Sequence, residues 1–338
     1  MVTRRSGAPA QAGLAALGSV CLLAIAGCGL GSARVTIGAD SPSPARSTAP
    51  ANSDPLMLPL SRAVAQRLPG GVFYVLAGPN PGSFNLWEVT DNGNEVQLTR
   101  NKIGYGISAF GASEAGVVMA DAASGLDELA KLTSHGPVLL PEGRGSGPDI
   151  SDSGRVSFIT PAYDKAHPYF DLRVMRSLSA PARVAYQQRA ALSATWGPKD
   201  AIAAVSGGHP PGTKGPDPRL LIITGHQIRI LKTPLANTLS NVTWTEQAPG
   251  LALSSWQDKG DVLMPGGSAV SLPDGWLPGA WSPSGKQLLV LGFGRKFGPN
   301  GSLGLWTLAQ PHRVHIIGEL PVNVAVGKFV WLARPART

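Results

Sequence analysis

Short apolar segments separated by glycine, proline and small polar residues make up most of the chain from about residue 70 onward. The first of them cover 71–76, 85–89 and 95–99, and valine, leucine and aromatic residues are frequent in them. Segments of about four to eight residues bounded by turn-forming residues are typical of β-strands. Beyond the N-terminus no long segment has convincing helical periodicity, so the pattern predicts an all-β fold.

A weak repeat organises these segments. Its clearest copy, 279–291, contains a strand that ends at Trp281, then a Ser-Pro-Ser-Gly turn, then a second apolar strand. The residues at the marker position of the successive copies are Phe110, Ser151, Trp196, Trp244, Trp281 and Trp331. Their spacing, roughly 37 to 50 residues, is about the period of a four-stranded propeller blade. We therefore predict six blades, with the recurring tryptophans packed between them.

The two ends of the repeat region predict how the ring closes. The segments 71–76, 85–89 and 95–99 match strands two, three and four of a blade that lacks its first strand. The C-terminal segment 329–331 matches a first strand with nothing after it. Pairing the two would complete the ring and remove two exposed sheet edges. The sequence thus predicts a six-bladed β-propeller closed by pairing of N- and C-terminal strands.

The first 28 residues have the layout of a lipoprotein signal peptide. Arg4 and Arg5 give a positive start, and the apolar stretch 13–27 is short for a membrane span but suits a signal peptide. The stretch 25–28, Ile-Ala-Gly-Cys, resembles the bacterial lipobox. This resemblance implies cleavage before Cys28 and a diacylglyceryl group on its thiol. The alternatives are a secretory signal cleaved elsewhere and a twin-arginine signal.

We expect three parts: a cleaved signal peptide over 1–27, a lipid-anchored flexible linker over 28–57, and the propeller over 58–335. The linker is rich in Gly, Ser, Ala and Pro and poor in large apolar groups. Both cysteines, Cys21 and Cys28, precede the propeller, which leaves that domain without a thiol for a disulfide or a metal. The expected location is extracytoplasmic, on the outer face of the cell membrane, with acyl chains as the anchor.

The net charge of +8 adds little to this picture. A modest positive balance favours contact with lipid headgroups or acidic wall polymers, and it is equally compatible with plain solubility. The basic residues are scattered, without a basic run or interleaved aromatic residues. This distribution argues against nucleic-acid binding.

One known family resembles this repeat. Residues 281–286, Trp-Ser-Pro-Ser-Gly-Lys, resemble the Trp-Ser-Pro-Asp-Gly-Lys signature of TolB-type, WD40-like propeller repeats. Residues 74–75, 87–89 and 97–99 resemble the third and fourth strands of that repeat. The resemblance covers about 70–333, and the last blade alone matches the signature well. It implies a six-bladed propeller and, for a lipid-anchored one, a module that assists a membrane sensor or wall-assembly partner.

Catalytic motifs are missing from the sequence. There is no Gly-x-Ser-x-Gly nucleophile elbow and no His-Glu-x-x-His metal motif, and the six histidines are dispersed. The stretch 151–154 resembles a calcium-loop fragment but sits where a hairpin turn is required. We interpret 143–147, rich in glycine, as a loop, and we expect Trp276 to be exposed. The sequence therefore predicts no catalytic residue, metal or cofactor.

The candidate recognition residues lie in long connections that a propeller places on one face. Aromatic and basic side chains on such loops suit a binding surface, although the loops could equally be merely solvated. The candidates are Arg100, Arg144, Tyr163, Lys165, His167, Tyr169, His209, Lys214, Arg295, Lys296 and Phe297.

The leading hypothesis is a non-enzymatic scaffold that presents this face to an envelope or membrane protein, or to an anionic wall polymer. A propeller-type hydrolase or lyase acting on a glycan or lactone through the central channel is one alternative, and a structural assembly subunit is another. Converging acidic or histidine side chains in the channel would favour the enzyme. A channel lined by small or apolar residues would favour binding.

Overall fold

A computed structural model shows the architecture of the chain. It describes residues 60, 62–78, 84–90, 92–100, 106–121, 127–163, 168–188, 192–207, 217–298, 300–320 and 324–338. The expected signal peptide, Cys28 and the linker up to residue 57 lie outside the described residues. Among the described residues, no helix is long and apolar enough to cross a membrane.

Within these residues, one short helix, α1 (Arg62–Ala65), precedes six four-stranded antiparallel sheets. Blade 1 contains β24 (Val324–Leu332), β1 (Val72–Ala77), β2 (Asn85–Thr90) and β3 (Glu95–Gln97). Blade 2 contains β4 (Ile107–Ser113), β5 (Gly116–Asp121), β6 (Glu128–Thr133) and β7 (Gly136–Arg144). Blade 3 contains β8 (Ser146–Ile150), β9 (Val156–Tyr163), β10 (Pro168–Met175) and β11 (Ala182–Gln188).

The other three sheets repeat this order. Blade 4 contains β12 (Leu192–Trp196), β13 (Ile202–Ser206), β14 (Arg219–Thr224) and β15 (Gln227–Leu231). Blade 5 contains β16 (Leu239–Thr243), β17 (Leu251–Ser255), β18 (Gly260–Leu263) and β19 (Ala269–Ser271). Blade 6 contains β20 (Trp276–Trp281), β21 (Leu288–Gly292), β22 (Ser302–Trp306) and β23 (Val314–Glu319).

The first strands of the six blades form a closed ring. Each contacts the first strand of the next blade, and β24 contacts both β4 and β20. The other three strands of each blade lie progressively farther from the axis. This arrangement is a six-bladed β-propeller, which confirms the fold predicted from the repeat.

The ring closes through the predicted pairing of the chain ends. Strand β24 pairs antiparallel with β1, and Phe73 lies opposite Trp331 with ring centroids 4.6 Å apart. The Trp331 indole N–H donates to the carbonyl oxygen of Gly70 at 3.1 Å. Closure therefore combines a strand ladder with an aromatic contact and an indole hydrogen bond.

The marker tryptophans pack between blades, as predicted. Trp196, Trp281 and Trp331 are buried, at 5%, 1% and 3% exposure. Trp244 is half-buried and packs against the core shared by blades 4 and 5. Its ring lies against Gly197, where an added Cβ would approach Trp244 Cδ2 to 2.2 Å.

The turns near the marker position in blades 3 and 6 share one kind of hydrogen bond. In both, a serine hydroxyl accepts a backbone N–H from beyond the turn: Arg155 N–H to Ser151 Oγ at 3.1 Å, and Gln287 N–H to Ser282 Oγ at 3.0 Å. Gly154 and Gly285 adopt positive φ values of 80° and 67°. The stretch 151–154 is therefore a hairpin turn, as predicted.

The glycine-rich stretch 143–147 is not a loop, contrary to our interpretation. Gly143 and Arg144 end β7, Ser146 and Gly147 begin β8, and Gly145 is the sole connecting residue. A Cβ on Gly145 would approach Phe158 Cδ2 to 2.7 Å. Glycine is required there because the chain crosses directly from one blade to the next against a buried ring.

A segment before the first strand packs over the interface between blades 6 and 1, which we call the closure seam. We call Leu60 and 62–70 the N-terminal strap. Leu60, Val64 and Leu68 are buried in the core of that seam. The Arg67 guanidinium donates to the carbonyl oxygen of Ile317 on β23 at 3.0 Å. The Leu60 N–H donates to the Glu95 carboxylate on β3 at 3.1 Å, so the strap links the outer strands of both blades.

Candidate binding face

Two kinds of connection share one end of the propeller. Strand direction alternates within each blade, so the connections between second and third strands and those between blades emerge at the same end. We call this end the loop face and the opposite end, which carries the tight hairpins, the turn face. Of the eleven candidate residues, Lys165, His167, His209 and Lys214 lie outside the described residues.

Tyr163 and Tyr169 flank a connection on the loop face. Tyr163 ends β9 opposite Pro168, and Tyr169 in β10 lies opposite Ala162. The two strands extend further than we expected, so the connection shrinks from 163–170 to 164–167. The fold thus brings the backbone of both tyrosines to the same hairpin end.

Arg100 and Arg144 lie on the loop face and are exposed. Arg100 follows Thr99, whose buried hydroxyl donates to Asn85 Oδ1 at 3.2 Å and accepts the Leu86 N–H at 3.0 Å. Arg144 ends β7, opposite Glu128 in the strand pairing. Both arginines therefore extend from anchored backbone rather than from a free loop.

Lys296 and Phe297 lie in a single 3-10 turn, Arg295–Phe297, with glycines on either side at positive φ. The Lys296 ammonium donates to the carbonyl oxygen of Asp274 and lies 4.9 Å from the centroid of the Phe297 ring. The Phe297 ring packs edge-on against Trp276 at a centroid distance of 4.7 Å. These contacts connect the loop within blade 6 to the connection between blades 5 and 6.

Trp276 is buried, at 5% exposure, which makes our expectation of an exposed ring wrong. Its ring packs over Gly304, where an added Cβ would lie 3.0 Å from Trp276 Cη2 and 2.3 Å from Val314 Cγ1. The missing side chain at 304 gives the indole room within the sheet.

An open groove of about 640 Å³ extends from these residues along β23. We call it the rim groove. Trp276, Phe297, Val314 and Ile316 form its apolar surface, and Ile316 is 56% exposed. Polar lining comes from Lys296, His312, Ser302 and Glu319. An apolar surface edged by charged groups suits recognition of an amphipathic partner segment.

The inner strands present a different surface to the axis. Where their described side chains are partly exposed, they are uncharged and mostly small. These residues are Ser108, Ala109, Ser146, Gly147, Ser193, Ala194, Ser240, Asn241, Thr243, Leu277, Pro278, Gly279, Val330 and Leu332. None of these described side chains can act as an acid or a base near neutral pH.

One carboxylate meets the channel-lining strands at blade 2. Asp127 accepts a hydrogen bond from the exposed Ser108 hydroxyl at 3.0 Å. Burial raises the pKa of Asp127, the Ser108 hydrogen bond lowers it, and the nearby charge of Asp121 raises it further. Asp121 and Asp127 flank the connection between β5 and β6, so both carboxylates belong to blade 2.

Carboxylates from three blades come together on the turn face, which sequence reasoning missed. Glu114, Asp152 and Glu246, which we call the acidic trio, lie in the turns that follow the first strands of blades 2, 3 and 5. Burial raises the pKa of Asp152, and the charges of Glu246 and Glu114 raise it further. No group of three or more histidine, cysteine or acidic residues among the described positions could hold a metal ion.

Comparison with known proteins identifies the fold. No protein-family model matches the sequence, and no curated protein does. TolB from Acinetobacter baumannii matches with a TM-score of 0.59 and 15% identity, covering 79% of this chain and 67% of that chain. A chain of a nidogen/laminin complex matches with a TM-score of 0.53 and 14% identity, covering 78% of this chain and 99% of that chain. An oligogalacturonate lyase in complex with manganese matches with a TM-score of 0.50 and 15% identity, covering 78% of this chain and 76% of that chain.

At these identities the similarity concerns the fold. It agrees with the six blades counted in this chain. The chain is a six-bladed β-propeller with the fold of TolB-type propellers.

Proposed function

We propose that this protein is a lipid-anchored envelope scaffold whose propeller binds a partner, without catalysis, through the loop face and the rim groove. The partner is an envelope or membrane protein, or an anionic wall polymer. The observation that carries the proposal is the rim groove, which exposed Ile316 and exposed Lys296 line together with the largely buried rings of Trp276 and Phe297.

Two further observations support this function. Where the side chains of the inner strands are described, the lining is uncharged and offers surface for contact. The lipobox-like stretch 25–28 and the linker after it would hold the propeller near the membrane, where envelope partners are concentrated. Arg100, Arg144 and Lys296 add positive charge to the loop face, which favours an acidic partner surface.

The test of the groove compares two triple variants. The groove variant carries Lys296→Ala, His312→Ala and Ile316→Ser. The control carries Lys286→Ala, His135→Ala and Leu139→Ser, which removes the same kinds of side chain elsewhere on the propeller. Wild type and both variants are used to capture partners from detergent-solubilised membranes, and each captured protein is purified and tested again for direct binding.

We expect wild type and control to capture the same protein and the groove variant to lose it. If the groove variant, still folded, binds as well as the control, the rim groove is not the binding site. Purified wall polymer is tested in the same way, because the charge on the loop face also suits an anionic chain.

The anchor is tested separately. Cys28→Ser should abolish acylation, because lipidation requires the thiol. Mass spectrometry of the N-terminal peptide should show an acylated cysteine in the wild type and no acyl group in the variant. An unmodified Cys28 in the wild type would contradict the lipid anchor and would not bear on the binding function of the groove.

A propeller hydrolase or lyase is the second candidate, favoured by the acidic trio. The raised pKa of Asp152 suits a general acid, and the Glu114 backbone N–H donates a hydrogen bond to its carboxylate. Turnover of a glycan or lactone that Asp152→Asn abolishes, while Asp217→Asn keeps it, would establish this function in place of the scaffold.

A further inference from the structure

The outermost strands of a propeller have unpaired edges, and five of the six here are protected. Strands β3 and β19 have only three residues each. Strand β7 contains two prolines, Pro137 and Pro141. Strands β11 and β23 pair irregularly with their neighbours, and β23 also receives the Arg67 side chain. Short strands, prolines, bulges and covering segments all prevent edge-to-edge association.

Strand β15 has none of these features. It pairs with β14 in regular register over all five residues, from Gln227 opposite Thr224 to Leu231 opposite Leu220. Residues 227–230 are exposed, and Leu231 is half-buried. Ile228 and Ile230 are 46% and 59% exposed. A regular, exposed and partly apolar edge is a template for another strand.

The hairpin geometry shows which backbone groups are free. A two-residue turn, Gly225 and His226, joins β14 to β15, so the closing pair Thr224 and Gln227 exchanges hydrogen bonds. Hydrogen-bonded and non-bonded pairs alternate along an antiparallel ladder. The N–H and C=O groups of Ile228 and Ile230 therefore point away from β14, towards the open edge.

The two faces of β15 differ in chemistry. Ile228 and Ile230 lie opposite Ile223 and Leu221, which belong to the core between blades 3 and 4, so both side chains lie on that side of the sheet. Arg229 lies opposite Ile222 on the other side. An added strand would meet an isoleucine pair on one face and a guanidinium on the other.

The charge of the β14–β15 hairpin indicates which kind of partner strand can pair with its edge. The hairpin from Arg219 to Lys232 contains two arginines, a lysine and a histidine, and it contains no acidic residue. We propose that the edge of β15 binds an extended segment of a partner protein in which apolar residues alternate with acidic ones. Its apolar side chains lie beside Ile228 and Ile230, and an acidic side chain lies beside Arg229.

A second copy of this chain is a poor occupant of the same edge. Antiparallel pairing of two β15 strands about their centre would place Arg229 opposite Arg229. Other registers would bring the same cationic hairpins together. Like charges directly opposite each other destabilise strand pairing, so the partner differs in charge from this edge.

The test uses the full protein and two synthetic peptides. One peptide alternates valine with glutamate over nine residues, and the other alternates valine with lysine. Amide hydrogen exchange is followed at Ile228 and Ile230 as each peptide is added. We expect the glutamate peptide to slow exchange at these two amides at least about tenfold and the lysine peptide to have no effect.

Two variants and one control test which groups of β15 bind the peptide. Arg229→Glu should weaken binding of the glutamate peptide by about tenfold and create binding of the lysine peptide, whereas Lys286→Glu, with the same charge change on the turn face, should alter neither. Ile230→Pro removes an N–H directed to the open edge and should block the glutamate peptide.

Some results would overturn the proposal. Unchanged exchange at Ile228 and Ile230 with excess glutamate peptide would do so, as would binding that Arg229→Glu leaves intact. A dimer in solution that Arg229→Glu dissociates would assign the edge to a second copy instead. The rim-groove variant keeps β15 intact, so failure of this proposal is distinguishable from failure of the groove.

Discussion

Gly197 and Trp244 contact each other across the interface between blades 4 and 5, with no space for a side chain at residue 197. An added Cβ would approach Trp244 Cδ2 and Cε3 to 2.2 Å. Gly197 has an extended backbone, with φ of −143°, which any residue adopts. Glycine is therefore required at this position for contact with the indole and not for backbone conformation.

We predict that Gly197→Ala destabilises the protein by about 1–3 kcal/mol through overpacking of this interface. Gly266→Ala is the matched control, since an added Cβ there meets nothing within 4 Å. Urea denaturation of both variants gives the difference. Equal midpoints would mean that the Trp244 ring moves to accommodate the added methyl group, against the packing requirement inferred at residue 197.

The Tyr74 hydroxyl supports the closure seam. It donates to Glu88 Oε2 at 2.9 Å and accepts the Ala336 N–H at 2.8 Å, and the ring is fully buried. Burial and the charge of Glu88 raise the pKa of Tyr74, which keeps the hydroxyl protonated at neutral pH. Tyr74→Phe should cost about 1–3 kcal/mol because the buried Ala336 N–H and the half-buried Glu88 carboxylate lose their hydrogen bonds. Tyr186→Phe on β11, half-buried and outside the seam, is the control for thermal unfolding.

Asp149 connects blade 3 to blade 4. Its carboxylate accepts the Thr195 hydroxyl and the Trp196 N–H, both at 3.0 Å. We expect Asp149→Ala to lower the free energy of unfolding by about 2–3 kcal/mol, since both donors are buried. Asp149→Asn keeps an acceptor oxygen and should lose less, and Asp217→Ala at an exposed position should lose little. If the Asn and Ala variants were equally unstable, packing rather than the hydrogen bonds would explain the loss.

Glu95 should make the docking of the N-terminal strap depend on pH. Burial raises the pKa of Glu95 to about 7, and the hydrogen bond from Leu60 opposes this shift. In the unfolded chain the group ionises near its ordinary value, so the folded state holds an extra proton between about pH 4.5 and 7. The contribution of Glu95 to stability is therefore full below that range and declines as pH rises through it.

Glu95→Gln tests this dependence, because the amide oxygen can still accept the Leu60 N–H. We predict that the stability of wild type relative to Glu95→Gln falls from pH 5 to pH 8. Guanidinium denaturation at several pH values measures the difference, and hydrogen exchange at Leu60 reports the strap itself. A difference that stays constant with pH would show that Glu95 does not titrate in this range.

The local pattern predicted much of the fold because blades are built from neighbours in sequence. The strand expected over 85–89 lies within β2, and the expected closure of 329–331 with 71–76 is the pairing of β24 and β1. Serine-rich turns after Trp281 and Ser151 were recognisable because each turn forms its own hydrogen bonds within a few residues.

The candidate site was less accessible to sequence reasoning because its parts come from distant positions. Trp276 is buried through Gly304 on a different strand, and nothing beside Trp276 in the sequence indicates this. The acidic trio joins turns from three blades, from Glu114 to Glu246. A signal for the trio does exist, since each member falls in the turn after a marker position.

The pairing of β24 with β1 also affects how the protein is made. Every other blade takes its strands from one continuous stretch of chain, and it can form while later residues are still being synthesised or exported. Blade 1 must wait for residues 324–332, so until then β1 has an open edge and blade 6 lacks its neighbour. The ring is therefore completed late, when β24 pairs with β1. A chain that stops before residue 324 would keep β1 unpaired and available to proteases and chaperones.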